Sequence, residues 1–346
     1  MNPDFLILGG GIIGLSTALE LARDGARVTV VERGMAGGES SWAGGGILSP
    51  LLPWHYAAPV NQLCHLGNAL YPDWVADLQS ATGIDPEYWR CGMQVLPPFD
   101  ADAARDWCAQ HGWPLVQDDS ALWLPEVAQV RNPRLIKALR AAVLARGIRL
   151  LEETEITAVT RAGSRLSAIH TTHGHMTAAT YIVTAGAWSQ MVLGELAPHW
   201  PIKPMRGQML LFRANPGVLN HVILQQGIYL IPRRDGHILV GSTVEDVGFD
   251  KSTTAAARTM LHGAAITLLP ALQNAPLIMH WSGLRPGSVE NIPTIARHPV
   301  IENLYANTGH FRYGVTMAPA SARLLASLIA GTAPGLDMAA YRWVGA

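Results

Sequence analysis

Apolar residues along this chain follow two different periods. Phe5–Leu8 is an unbroken apolar run that ends in Gly9-Gly10-Gly11, which predicts a buried strand of a parallel sheet. From Ile12 to Arg23 the spacing becomes helical, carried by Ile12, Leu15, Leu19, Leu21 and Ala22, and Gly25 predicts the stop. Arg27–Val31 is a second apolar strand. Strand, helix and strand in this order predict an α/β fold, a parallel sheet with helices packed on its faces. Gly34–Gly46 reads as a glycine- and serine-rich loop. Helices are predicted over Asn61–Thr82, Pro133–Arg146, Thr253–Leu269 and Val315–Ile329, the second with proline near its start. Strands are predicted in Leu150–His170, Tyr181–Thr184 and Leu304–Ala306. Between Gly207 and Thr243 the pattern alternates, as in Met209-Leu211 and Ile228-Leu230, which predicts a mixed or antiparallel sheet.

Composition narrows the function class. A chain of 346 residues exceeds what a single core supports, so two domains are expected. Hydrophobic residues make up 49% and charged residues 15%, which is core-rich. A net charge of −1 argues against nucleic acid or acidic membranes as partners. Cys64, Cys91 and Cys108 form neither a CxxC pair nor a metal-binding pattern, so no metal is expected and a reducing cytoplasm fits. The chain opens straight into a strand without a signal-peptide pattern, and no apolar stretch reaches membrane-spanning length.

Gly9-Gly10-Gly11-Ile12-Ile13-Gly14 is a G-x-G-x-x-G that follows a strand and opens a helix, the context a dinucleotide-binding turn requires. Gly9 permits the turn, Gly11 lets backbone approach a pyrophosphate, and Gly14 lets helix and strand pack closely. The helix N-terminus adds free N–H groups and a positive dipole end. Glu32 closes the second strand, where a carboxylate accepts hydrogen bonds from ribose hydroxyls. This much does not separate NAD from FAD. Gly37–Gly46, with Ser40 and Ser41 inside it, supplies bare backbone and hydroxyls for the larger second half of FAD.

Six stretches in order carry a resemblance. They are the opening fingerprint, Ser40-Ser41 with Gly44–Leu48, Val183–Ser189, Ile228–Arg233, Gly283–Ser288 and Gly309–Gly314. Together, over about two thirds of the chain, they resemble the glycine oxidase branch of the D-amino acid oxidase flavoprotein family, known in thiamine biosynthesis. The resemblance implies a Rossmann-like FAD-binding domain of the glutathione-reductase type with an inserted mixed-sheet substrate domain. The expected division is 1–82, 136–195 and 283–346 for FAD, and 83–135 and 196–282 for substrate. It implies that Ile12, Ile13, Glu32, Arg33, Ser40, Ser41, Gly45, Gly46 and Ile47 touch FAD, with Ile156 at the adenine. Ala185, Gly186 and Trp188 join them. His310, Phe311, Arg312, Tyr313, Gly314, Val315 and Thr316 wrap the flavin ring. A helix starting near Val315 then aims its dipole at the ring and steadies negative charge there. No cysteine lies in the C-terminal loop, so FAD is expected to be non-covalent.

For the substrate, the family pattern places Arg285 as the carboxylate-binding arginine, because guanidinium holds carboxylate in a planar, bidentate way. Arg312, Tyr229, Ile47 and Val244 complete the expected pocket. Arg312 also fits a flavin contact, and Tyr229 a core position. His280 and Trp281 read as packing. Where this chain has Tyr313, family members frequently carry asparagine, a departure that bears on pocket size. The implied reaction is oxidation of a small amino acid (glycine, sarcosine or a small D-amino acid) to an imine and then an oxo acid, with dioxygen as partner. It needs positioning more than acid–base help, so no general base is named. Homo-oligomers are common among relatives, and self-association is an expectation from them. Two other readings stay open: a dehydrogenase feeding a quinone or carrier protein, and a flavin-binding sensor module without turnover. An NAD-dependent dehydrogenase leaves both later glycine loops without a purpose.

Overall fold

The computed structural model describes residues 2–118 and 120–344. The opening β-α-β unit forms as the pattern predicts: β1 is Phe5–Leu8, α1 is Ile12–Leu21, and β2 is Val28–Val31. One short 3₁₀ turn, Ala22–Asp24, extends α1 and ends at Gly25 with φ 81°, a left-handed position that glycine takes without strain. β1 and β2 lie in a six-stranded sheet. Its order is Thr294–Arg297, Leu304–Thr308, Thr180–Val183, β1, β2 and Arg149–Leu151. Every pair is parallel except Thr294–Arg297 with Leu304–Thr308.

Side chains alternate across this sheet and so feed two cores. Ile7, Val30 and Ile182 join the core under α1 and the helices Ala58–Thr82, Asn132–Ala145 and Gly314–Ala330. Leu6, Leu8, Val31, Tyr181 and Val183 join the core on the other face, with Trp200 and Trp343 and the three-stranded sheet Ile156–Met176. The helix at 58 starts three positions ahead of the periodic signal, because Pro59 occupies its first turn, where a missing N–H costs nothing.

The alternating segments build an eight-stranded sheet. Its order is Leu277–Gly287, Lys203–Arg213, His237–Gly241, Ile228–Pro232, Val222–Gln225, Met93–Val95, Leu122–Leu124 and Val116–Gln117. It is mixed: Val222–Gln225 runs parallel to Met93–Val95, and the remaining pairs are antiparallel. Leu277–Gly287 pairs along Lys203–Arg213 to its last residue, so this sheet continues through Gly287 rather than ending at 282. The loop Gly34–Gly46 contains a one-turn helix, Ser40–Ala43. Among the described residues no helix is long and apolar enough to cross a membrane.

Candidate active site

The fingerprint turn leaves no space for side chains. A Cβ on Gly9, which sits at φ +117°, would fall 2.7 Å from Ala185 Cα, and one on Gly14 would fall 2.0 Å from the Gly9 carbonyl oxygen. Thr184 Oγ1 donates to that carbonyl at 2.7 Å, fixing the turn to the neighbouring strand. The Ile12 N–H, one of the free donors at the start of α1, donates to Ser41 Oγ at 2.9 Å. The Glu32 carboxylate accepts the N–H groups of Gly10 at 2.7 Å and Gly34 at 3.0 Å. It keeps lone pairs for further donors. The Arg33 guanidinium carbon lies 3.7 Å from the Trp188 ring centre, and Glu39 pairs with both Arg33 and Lys251.

One cleft gathers these groups and those of the eight-stranded sheet. Gly9, Gly11, Ile12, Ile13, Glu32, Arg33, Ser40, Ser41, Gly45, Gly46, Ile47, Ile156, Ala185, Gly186 and Trp188 line it. So do Tyr229, Arg285, His310, Phe311, Arg312, Tyr313, Gly314 and Val315. Three expected residues stand apart. Gly14 packs against the turn behind the wall. Thr316 is buried, and its hydroxyl donates to the Ile47 carbonyl at 3.3 Å. Val244 is 45% exposed and does not line the cleft. Its neighbours explain why: Thr243 accepts the Gln208 N–H at 2.9 Å and Glu245 pairs with Arg206, so the residue between them points outward.

Arg285 is gripped from behind. Its Nη2 donates to Ser242 Oγ at 2.7 Å and its Nη1 to the Thr243 carbonyl at 3.2 Å. Burial lowers its pKa, and the positive charge of Arg312 adds to the effect. Neither arginine makes an ion pair among the described residues. The backbone brings them together: the Phe311 N–H donates to the Pro286 carbonyl at 3.0 Å, and Phe311 takes a left-handed φ of 41° to do so. Such a conformation is costly for a bulky residue and is held by its surroundings. Tyr229 lies over Gly241, where a Cβ would come within 3.0 Å of its ring.

The C-terminal loop is neutral apart from Arg312. Burial pushes His310 down to about 3, and its Nε2 meets Ser321 Oγ at 2.8 Å. Tyr313 is buried edge-on to Tyr56, with ring centres 5.0 Å apart, and burial shifts its pKa far upward. It therefore belongs to the core between two helices as much as to the cleft. Helix Gly314–Ala330 begins at this loop without a side-chain cap.

Some functional groups had no distinct signal in the sequence. Arg233 is buried; its Nη2 donates to the Gly45 carbonyl at 2.8 Å and its Nη1 to the Val130 carbonyl at 3.0 Å and to Gln129. It ties the Gly44–Gly46 loop to the sheet. Ser242 and Thr243 directly follow the strand His237–Gly241. Asn307 lines the cleft next to the Gly309–Gly314 motif, and its Oδ1 is buried with no partner among the described residues. Trp281 donates to the Ala43 carbonyl at 3.0 Å and His280 meets Gln208 at 3.1 Å, so both brace the site from outside.

The groups present fit a flavin dinucleotide. A phosphate-ready helix start and an acid stand with bare backbone at Gly44–Gly46, where a Cβ on Gly46 would strike the Val130 carbonyl at 2.1 Å. No cysteine lines the cleft. Among the described residues no cluster of His, Cys, Asp and Glu could hold a metal ion.

Comparison with known proteins converges on the same chemistry. A family profile described as FAD dependent oxidoreductase (DAO) matches residues 4–328. The glycine oxidase of Pseudomonas putida is 42% identical over 358 residues, spanning 99% of this chain and 98% of the relative. That of Pseudomonas aeruginosa is 42% identical over 362 residues and all of both chains. The crystal structure of glycine oxidase from Geobacillus kaustophilus superposes with a TM-score of 0.94 at 26% identity, covering 99% of this chain and 98% of that one.

Proposed function

Since the chain belongs to the FAD dependent oxidoreductase family, we propose that this FAD-dependent amino acid oxidase acts on glycine or a near relative such as sarcosine or a small D-amino acid. The observation that carries the substrate class is the pair Arg285 and Arg312, two cleft-facing guanidinium groups with no ion pair of their own. A desolvated cation without a partner is costly, and a substrate carboxylate relieves that cost. The chemistry FAD supplies when bound is two-electron oxidation of the substrate C–N bond, with dioxygen as final acceptor.

The chain's own residues do the rest. Gly9, Gly11 and the start of α1 receive the pyrophosphate, and Glu32 the ribose. Ser40, Ser41 and Gly44–Gly46 follow the ribityl chain. His310–Val315 flank the ring, and the dipole of helix Gly314–Ala330 favours negative charge there. Arg285 takes the carboxylate, with its back edge already committed to Ser242 and Thr243. Tyr229 and Ile47 close around a small side chain. The amine must be neutral when its α-hydrogen leaves. No residue here serves as base: His310 is neutral but engaged with Ser321. The product imine hydrolyses to an oxo acid and ammonia. Non-covalent FAD is supported by the absence of cysteine from the lining, and a reducing cytoplasmic setting by three free thiols. The sequence resemblance adds thiamine biosynthesis as the pathway.

A peroxide-coupled screen of glycine, sarcosine and small D-amino acids tests the reading. The expected result is peroxide stoichiometric with oxo acid. Bleaching of the flavin without peroxide would transfer the enzyme to the dehydrogenases. Arg285→Ala should retain FAD and lose at least tenfold in kcat/KM, from about 1.5–3 kcal/mol per charge-assisted bond. Unchanged turnover would remove Arg285 from the site.

A further inference from the structure

We propose that Gly207 is a positioning residue for substrate binding, the bare seat on which the Arg285 guanidinium lies. The inference rests on the reading of Arg285 as the carboxylate-binding group. In the strand register Met205 faces Arg285 and Gly207 faces Gly283, so positions 205, 207, 283 and 285 share one face of the sheet. Arg285 extends along that face. A Cβ built on Gly207 would fall 2.1 Å from Nη1, 2.4 Å from Cζ and 2.4 Å from Nη2. The planar head therefore occupies the space that any other residue at 207 would fill.

The backbone offers no other reason for glycine here. Gly207 is absent from the positive-φ positions, and it lies inside a long paired strand. Glycine in a strand interior costs roughly 0.5–1 kcal/mol relative to alanine. The seat and the back anchors together fix the fork: Gly207 lies beneath, and Ser242 Oγ and the Thr243 carbonyl hold Nη2 and Nη1. With alanine at 207 the head must retreat by about an ångström or more to reach ordinary contact. It is the end of a flexible side chain, so the strand need not move. The fold is kept and the fork is misplaced. A displacement of that size at a positioning group costs up to about a hundredfold in rate.

The test is a double-mutant cycle on the FAD-loaded enzyme, with Gly207→Ala, Arg285→Ala and the pair. Gly207→Ala should raise the KM for glycine and the Kd for glycolate, read from flavin absorbance, by about tenfold or more. Flavin content and Tm should stay at wild-type values, and KM for an amine without a carboxylate should not move. In the Arg285→Ala background the same change should add nothing. A KM within twofold of wild type, or an equal rise in both backgrounds, overturns the proposal. An unchanged KM in Arg285→Ala alone would instead overturn the reading of Arg285 itself. Should Gly207→Ala fail to fold, Ser242→Ala decides: it removes the Nη2 anchor and should weaken glycolate in the same direction, and wild-type glycolate binding there refutes the gripped-fork account.

Discussion

Replacing Arg233 with methionine isolates what a buried arginine contributes to a flavin site without touching the substrate. Arg233 is 5% exposed, and its guanidinium lies against Gly45, Val130 and Gln129, with no carboxylate in contact among the described residues. Burial, with the charge of Arg131 adding to it, holds its pKa at about 10 instead of 12.5, a cost of about 3 kcal/mol for keeping the charge. Methionine matches the stem and relieves that cost. It also strands three acceptors, each worth about 1–3 kcal/mol when buried and unmet. The two effects partly offset, so global stability of the apoprotein should fall by at most about 6 kcal/mol. The effect on FAD should be separable and larger in consequence, because the Gly45 carbonyl pins the loop proposed to follow the ribityl chain. FAD stabilises the folded state by RT ln(1 + [L]/Kd), so a weaker Kd appears as a smaller gap between the holo and apo unfolding midpoints. Urea titrations of both forms, with FAD release followed by fluorescence, measure the two quantities. Equal holo–apo gaps in wild type and Arg233→Met would refute the view that Arg233 organises the cofactor loop.

Two further outcomes follow from the same geometry. His310 has a folded pKa near 3, against 6.5 in the unfolded chain, so it binds no proton in the native state across that window while the unfolded chain does. Stability should therefore fall as pH drops from about 6.5 towards 3, with a slope of about 1.4 kcal/mol per pH unit from this group. His310→Asn should flatten that part of the curve, and an identical curve would show that another group sets it. Gly14→Ala puts a methyl 2.0 Å from the Gly9 carbonyl oxygen, which is backbone and cannot swing aside. The variant should purify with little FAD and a lowered Tm, and full flavin content would show that the turn is more pliant than its packing implies.

Periodicity and glycine spacing were enough to place β1, α1, β2, the strands at 180–183 and 304–308 and four long helices, because each depends on residues within one element; Leu277–Gly287, Thr294–Arg297 and the helix Ala101–His111 carry no such pattern and were not predicted. Glu32 and the fingerprint glycines were legible for the same reason: the turn, its helix and its acid are close in sequence. The resemblance supplied Arg285, Tyr229 and the C-terminal loop, which the structure brings into one cleft. Val244 was misplaced because an aligned position does not reveal which way a side chain points once Thr243 and Glu245 are claimed from the other side. Ser242 and Thr243 were missed, and Arg233, though it closes the stretch Ile228–Arg233, was given no role, because their roles are contacts across strands and nothing local distinguishes a serine past a strand end or an arginine after a proline.

That division has a physical origin, and it bears on how the site keeps its specificity. The cofactor half relies on backbone amides and glycines, which short motifs encode and which tolerate change elsewhere. The proposed substrate half rests on Arg285, whose charge burial disfavours, and on part-buried Arg312, neither with an internal counter-ion among the described residues. Their cost is borne by groups drawn from three distant segments: Ser242 and Thr243 behind Arg285, Gly207 beneath it, and the Phe311–Pro286 hydrogen bond that draws Arg312 alongside. A ligand with a carboxylate recovers that cost and a simple amine does not. On the proposed reading of Arg285, selectivity for amino acids over amines is a property of the empty fork's discomfort, and relieving the discomfort by supplying an internal acid should lower the preference even with every substrate contact left in place.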